Sequence, residues 1–182
     1  KTLGYRSRSA FKLIELNKKY RFIKKNCKLL DIGAYPGGWS QVSSKIITTG
    51  KILSLDIKKM DTLRNVSFLQ CNFIQESTKA KIQNFFKEEL DVVLSDMAAD
   101  TTGNKSLDCI RTNKLCADVI EFSSKILKPK GVLVSKLFMG DDFLEVKELA
   151  KSRFKKVEFF KPEASRSESK ETYIHCAILK TL

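Results

Sequence analysis

Apolar and polar positions alternate along this chain in two rhythms. Short apolar runs fall at Leu29–Ile32, Lys51–Asp56, Val66–Leu69, Asp91–Asp96 and Val132–Leu137. Near-continuous runs such as DVVLSD and VLVSKL are expected of strands covered on both faces. Between them, apolar residues recur at helical spacing. That spacing predicts helices over 6–20 (Phe11, Ile14 and Leu13 or Leu16 inward), 38–47, 78–87 (Ile82, Phe85, Phe86), 107–127 and 142–152. Pro129 and Gly131 stop the longest of these. Two final strands, Val157–Phe160 and Tyr173–Leu179, flank a polar loop over 161–170 that leaves no room for a crossover helix. They are therefore expected to pair antiparallel.

Strands alternating with helices imply a Rossmann-like α/β fold: a mostly parallel sheet of seven strands, an antiparallel strand near the C-terminus, and helices on both faces. At 182 residues, 42% hydrophobic and 30% charged, residues 1–182 are expected to form one domain. No run of 18 apolar residues is present, so no membrane partner is expected. The chain starts at Lys1 rather than Met, as a trimmed chain would. Its five cysteines are scattered with no CxxC pair, which predicts free thiols in an intracellular, reducing compartment and no structural metal.

In such sheets ligands bind beyond the carboxyl ends of strands. That rule selects Gly33, Asp56, Asn72, Asp96 and Lys136. The turn DIGAYPGGWSQ follows the first strand and opens a helix, with Gly33, Gly37 and Gly38 permitting close backbone approach. It is neither GxGxxG nor a P-loop, which disfavours a nicotinamide oxidoreductase or a nucleotide triphosphatase. Carboxylates at Asp31 and Asp56 suit a ligand with a cationic end and a ribose. S-adenosylmethionine has both.

Asp96 and Lys136 break the apolar pattern at strand ends, where a bland account would make one a helix cap and the other a snorkelling lysine. A lysine beside an acceptor hydroxyl can act as base or as cation. Burial lowers its pKa and neighbouring carboxylates raise it, so the sign stays open from sequence. An excess of 34 Lys and Arg over 21 Asp and Glu gives a formal charge of +13, which favours a polyanionic partner. The basic residues Lys1, Arg6, Arg8 and the cluster from Lys18 to Lys28 lie in an N-terminal region, residues 1–28. With Arg166 and Lys170 they are expected to form a rim that leads RNA phosphates toward Lys136.

RSRSAFKL, DIGAYPGGWSQV, SDMAADTTG, LVSKLF and SRSESKETYI occur in order along nearly the whole chain. Through them the sequence resembles the FtsJ/RrmJ-like family of RNA ribose 2′-O-methyltransferases. The resemblance implies a catalytic tetrad of Lys12, Asp96, Lys136 and Glu171, with Lys136 as proton acceptor; Lys12 and Glu171 are singled out on this ground alone. It also implies S-adenosylmethionine contacts from Gly33, Ala34, Pro36, Gly37, Gly38 and Trp39 in the turn. Asp56 and Ile57, Asn72 and Phe73, and Asp96 would complete that set. Three positions depart from the common pattern: Asn72 for Asp, Tyr35 for Ala, and Ala99-Asp100 for Pro-Asn. The wording SDMA…TG and SRSESKETY is most similar to the type that methylates a uridine of large-subunit ribosomal RNA. A monomer acting on ribosomal RNA or a pre-ribosomal subunit is therefore expected. The alternatives are a methyltransferase for the tRNA anticodon loop and a non-catalytic RNA-binding assembly module.

Overall fold

The computed structural model describes residues 3–181. In chain order the elements are α1 (Ala10–Tyr20), β1 (Lys28–Ile32), α2 (Gly38–Ile46), β2 (Lys51–Asp56), β3 (Ser67–Gln70), α3 (Glu76–Phe86) and β4 (Leu90–Ser95). They continue as α4 (Lys105–Ile126), β5 (Leu127–Phe138), α5 (Phe143–Arg153), β6 (Phe154–Phe160) and β7 (Glu171–Leu179). The strands form one sheet in the order β3-β2-β1-β4-β5-β7-β6. Strands β1 to β5 pair in parallel, while β7 runs antiparallel to both β5 and β6. The expected α/β sheet, antiparallel strand included, is the observed one. What the alternation did not reveal is that β7 inserts between β5 and β6.

Two cores cover the two faces. One packs α3, α4 and α5 residues such as Ile82, Val119, Ile120 and Ala150 against Leu30, Val93, Leu133 and Ile174. The other packs Ala10, Leu13 and Leu16 of α1 and Trp39 and Val42 of α2 against Leu29, Val92, Leu94, Val134 and Tyr173. Strand side chains alternate between these cores, as the period of two requires.

Most boundaries fall within two residues of expectation, and three differ by more. The first helix begins at Ala10, not residue 6, because Ser7, Arg8 and Ser9 form a turn whose carbonyls accept from Ala10, Phe11 and Lys12. Strand β5 starts at Leu127 and runs through Pro129 and Gly131. Its register against β4 jumps from Leu90↔Leu127 to Val92↔Val132, so the intervening residues bulge out and the missing proline N–H breaks no ladder. Strand β6 starts at Phe154, directly after α5, and pairs with Leu179.

Candidate active site

The period of two builds the site. Val92 and Leu94 on β4, and Val134 on β5, point toward α1. The next position in each row, at the carboxyl edge of the sheet, is Asp96 and Lys136 respectively. On β7, running the other way, Tyr173 faces α1 and Glu171 is its outer neighbour in the row, while Lys136 lies opposite Tyr173 in the ladder. Helix α1 packs over these strands and brings Lys12 in from above.

The four charges meet. Lys136 Nζ lies 3.2 Å from Asp96 Oδ1 and 3.3 Å from Glu171 Oε2, and Lys12 Nζ donates to Glu171 Oε1 at 2.6 Å. All four side chains are between 11% and 17% exposed, so water screens them little. Three neutral donors complete the cluster: the Tyr173 hydroxyl to Asp96 Oδ1 (2.6 Å) and Glu171 Oε1 (3.2 Å), Ser9 Oγ to Asp96 Oδ2 (2.7 Å), and Ser165 Oγ to Glu171 Oε1 (3.2 Å). Sequence reasoning missed all three. All three lie within quoted motifs, but only tertiary packing aims a hydroxyl at a carboxylate.

The electrostatics follow from this arrangement. Burial lowers the Lys136 pKa, but the charges of Asp96 and Glu171 outweigh it and the net shift is upward. Burial likewise raises Glu171, yet Lys136 and Lys12 hold it below the ordinary carboxylate range. Tyr173 is pushed well above its usual value, first by burial and then by the two carboxylates, so it remains a donor. At neutral pH the cluster is thus an ammonium held between carboxylates.

A cavity of about 660 Å³ opens beside Asp96, within the range of about 300–1,000 Å³ usual for small ligands. Of the residues expected to hold the methyl donor, Gly33, Asp56, Ile57, Asn72, Phe73 and Asp96 line it. Asp56 closes β2 and accepts from Tyr35 N (3.0 Å) and Lys58 N (2.9 Å), which fixes its carboxylate at the mouth. Asn72 Oδ1 accepts from Ile74 N at 3.1 Å. Gly33 has φ 73°, and a Cβ there would meet Met97 Cγ at 2.6 Å, so the turn needs glycine. Ile57 and Ile74, 59% and 54% exposed, give the cavity two apolar walls. Ile74, Met97 and Arg111 also line it and were not anticipated from sequence.

The rest of the turn is used otherwise. Ala34, Pro36, Gly37, Gly38 and Trp39 are not among the cavity-lining residues. Ala34 is buried, its N–H donating to Leu55 O at 3.0 Å. A Cβ on Gly38 would strike Ser7 Oγ at 2.3 Å, so this glycine admits the N-terminal segment. Pro36 O and the Gly37 backbone lie against Arg6. Trp39 is buried, donates from Nε1 to Ser9 O at 2.8 Å and packs on Tyr173 with ring centroids 5.5 Å apart. It therefore backs the ionic cluster. Beneath the turn, fully buried Asp31 accepts from Ser40 at 2.7 Å, and burial pushes its pKa up to about 7.

The expected basic rim is redistributed. Arg6 donates to the carbonyls of Pro36, Asp61 and Thr62, which commits its guanidinium to holding loops together. Lys18 to Lys28 lie at the far end of α1 and the start of β1. At about 3.3 Å per strand residue, the five residues of β1 put this cluster roughly 15 Å from the catalytic edge. Arg8, Arg166 and Lys170 remain exposed. Lys1 lies outside the described residues.

Comparison with known proteins gives concordant results. The profile of FtsJ-like methyltransferases matches residues 5–179. Ribosomal RNA large subunit methyltransferase E of Pelagibacter ubique is 43% identical over 177 residues, covering 97% of this chain and 87% of that protein. The protein of the same name from Rickettsia akari is 44% identical over 177 residues, covering 94% and 78%. A putative ribosomal RNA methyltransferase from Plasmodium falciparum superposes with a TM-score of 0.85 at 32% identity, covering 96% of this chain and 98% of that one. Human methyltransferase-like protein 13 in complex with SAH shares the fold, with a TM-score of 0.66 at 16% identity over 93% of this chain and 79% of that one.

Proposed function

Since this chain belongs to the FtsJ-like methyltransferase family, we propose that it methylates a ribose 2′-hydroxyl of large-subunit ribosomal RNA, with S-adenosylmethionine as donor. The relatives named for large-subunit methylation, with more than 40% identity over nearly the whole chain, support the choice of RNA. The observation that carries the reaction is the continuity of cavity and cluster: Asp96 lines the former and sits 3.2 Å from Lys136 in the latter.

When bound, S-adenosylmethionine supplies a methyl group made electrophilic by its sulfonium. The cavity suits it chemically: a carboxylate at Asp56 for ribose hydroxyls, an amide at Asn72, and Ile57 and Ile74 as apolar walls for a flat base. An amide at position 72 can both donate and accept, so the departure from the commoner Asp preserves a polar contact.

The cluster's task is the acceptor. A ribose hydroxyl is a weak nucleophile whose oxygen must be held in line with the methyl carbon. Lys136 keeps its proton at neutral pH, because two carboxylates face it. It therefore serves first as a cation that donates to the acceptor oxygen and stabilises charge there, rather than as a resting free base. Once a carbon–oxygen bond replaced the donor's carbon–sulfur bond, leaving a neutral thioether, the hydroxyl proton would be strongly acidic and would pass to a carboxylate of the cluster. Asp96, which borders the donor cavity, is the carboxylate assigned that proton in this reading. Lys12 and Tyr173 hold Glu171 and Asp96 in position, so the ammonium has a single geometry.

Incubation with tritiated methyl donor and ribosomal or transfer RNA, followed by digestion to nucleosides, tests the reading. Label in a 2′-O-methylnucleoside of large-subunit RNA is expected, and it should vanish with Lys136→Ala. Label confined to tRNA would redirect the substrate, and RNA binding without label would make the chain an assembly module.

A further inference from the structure

A second cavity, of about 450 Å³, opens at the end of β6 and the starts of β7 and α5, beyond β5 in the strand order. Its walls are Met139, Phe143, Phe159 and Phe160, with exposed Lys170 at the rim and buried Glu171 and Thr172 further in. It shares no lining residue with the donor cavity. The two are bridged by Asp96, Lys136 and Glu171: Asp96 lines the first, Glu171 the second, and Lys136 Nζ lies 3.2 and 3.3 Å from them. Lys136 lines neither cavity, but its ammonium is joined to the first through Asp96 and to the second through Glu171.

We infer that the aromatic cavity is the subsite for the base of the nucleotide whose ribose is methylated. The inference rests on the proposed RNA methylation and adds where the acceptor's base goes. In a nucleotide the 2′-oxygen and the base sit on adjacent ribose carbons. A ribose held with its 2′-oxygen at Lys136 therefore projects its base about one side chain further, on the side away from the donor. In the strand order the cavity lies on that side, over β7 and β6. Its chemistry suits a flat heterocycle, because aromatic faces stack on any base without needing a particular sequence. The Phe143 and Phe159 rings sit 4.7 Å apart at 49°, forming an apolar floor with both rings only partly covered.

Charge favours the same occupant. Met139, 49% exposed, is an apolar surface on a chain of net charge +13. Exposed Lys170 flanks it, suited to a phosphate of the same strand. The loop over 161–170, whose Lys161, Ser169 and Lys170 line the cavity, is tied down by hydrogen bonds. Lys161 Nζ donates to the carbonyls of Ser167 and Ser169, and Glu15 on α1 accepts from the backbone of Glu163 and Ala164. The same loop supplies Ser165 to Glu171. One segment thus lines the base subsite and holds the carboxylate next to Lys136.

The test uses Met139→Glu, which places a carboxylate at the mouth of the cavity from a half-exposed position. The KM for large-subunit ribosomal RNA should rise about tenfold, while the dissociation constant for S-adenosylmethionine stays within twofold of wild type. Lys170→Ala, a rim change with little bearing on folding, should raise KM two- to threefold. Independently, a ribosomal RNA transcript carrying 4-thiouridine, irradiated on the wild-type protein without turnover, should crosslink to peptides containing Met139, Phe143 or Phe159. An unchanged KM in Met139→Glu, or crosslinks confined to other segments, overturns the subsite. A wild-type protein that makes no 2′-O-methylnucleoside would overturn the methylation reading instead, and the crosslinks still decide whether a base occupies this cavity.

Discussion

Two clusters in this molecule have the same composition, two lysines and two carboxylates, and sit at opposite edges of one sheet. At the amino edge Lys28 pairs with Glu88, and Lys128 Nζ with Asp91 Oδ1 at 2.9 Å. Asp91 also accepts from Lys28 N at 2.8 Å. Those side chains are 22% to 57% exposed and form separate pairs. At the carboxyl edge Lys12, Asp96, Lys136 and Glu171 are 11% to 17% exposed, and Lys136 is shared by both acids. The first arrangement ties strand ends together and contributes little free energy, as exposed pairs do. The second holds one cation between two acids, with cavities on either side. Residue types do not separate structural from chemical ion pairs; burial, sharing and an adjacent space do.

The sharpest way to break this contrast is to remove one lysine from each edge. Lys136→Ala should lower kcat by at least about 10³-fold, measured by methyl incorporation, with donor affinity largely kept. Lys128→Ala should change kcat by less than twofold. Comparable losses in both would dissolve the distinction. Next in size is Tyr173→Phe, which removes the hydroxyl donated to Asp96 and Glu171. A roughly tenfold drop in kcat is expected, with the melting temperature lowered by a few degrees because two buried carboxylates lose a donor.

The pH dependence sharpens the role of Lys136. Its pKa lies above the ordinary lysine value, so it stays protonated across the neutral range. If it acts as a cation, kcat should be nearly flat between about pH 6.5 and 9. A steady tenfold rise per pH unit would make the free amine the reactive form.

The smallest effect concerns stability. Asp31 is ordinarily ionised above about pH 4 when unfolded, but its folded pKa is about 7. Between these values the folded state holds a proton that the unfolded state has lost. Stability from this group is therefore fully present at low pH and declines as pH rises from about 4 to about 7. Asp31→Asn should remove that slope, and thermal melts across the window would show it. An identical slope in the variant would mean that Asp31 is charged in the fold.

How much of the site was legible depends on which force placed each residue. Asp96 and Lys136 were visible because a charge interrupts an apolar strand, a local signal. Asp56 and Asn72 were visible as strand-end polar residues. Lys12 and Glu171 had no such signal: one lies on an amphipathic helix, the other opens a strand after a polar loop. They became candidates through resemblance alone. The turn glycines were legible as close-approach positions, but not what approaches. For Gly38 it is Ser7, and for Gly37 it is Arg6. Likewise the basic N-terminal region read as one surface, whereas the fold commits Arg6 to backbone carbonyls and sends Lys18 to Lys28 to the opposite edge.

By itself, the sequence determined the alternation of strands and helices, the glycine turn at the end of the first strand, and the two charges that end apolar rows. Local periodicity and backbone freedom encode these. Only the tertiary structure decided that β7 enters between β5 and β6, setting Glu171 and Tyr173 beside Lys136, and that Lys136 keeps its proton. Strand order and pKa both depend on neighbours distant in the chain, and a distance of about 3 Å between such groups is fixed by packing.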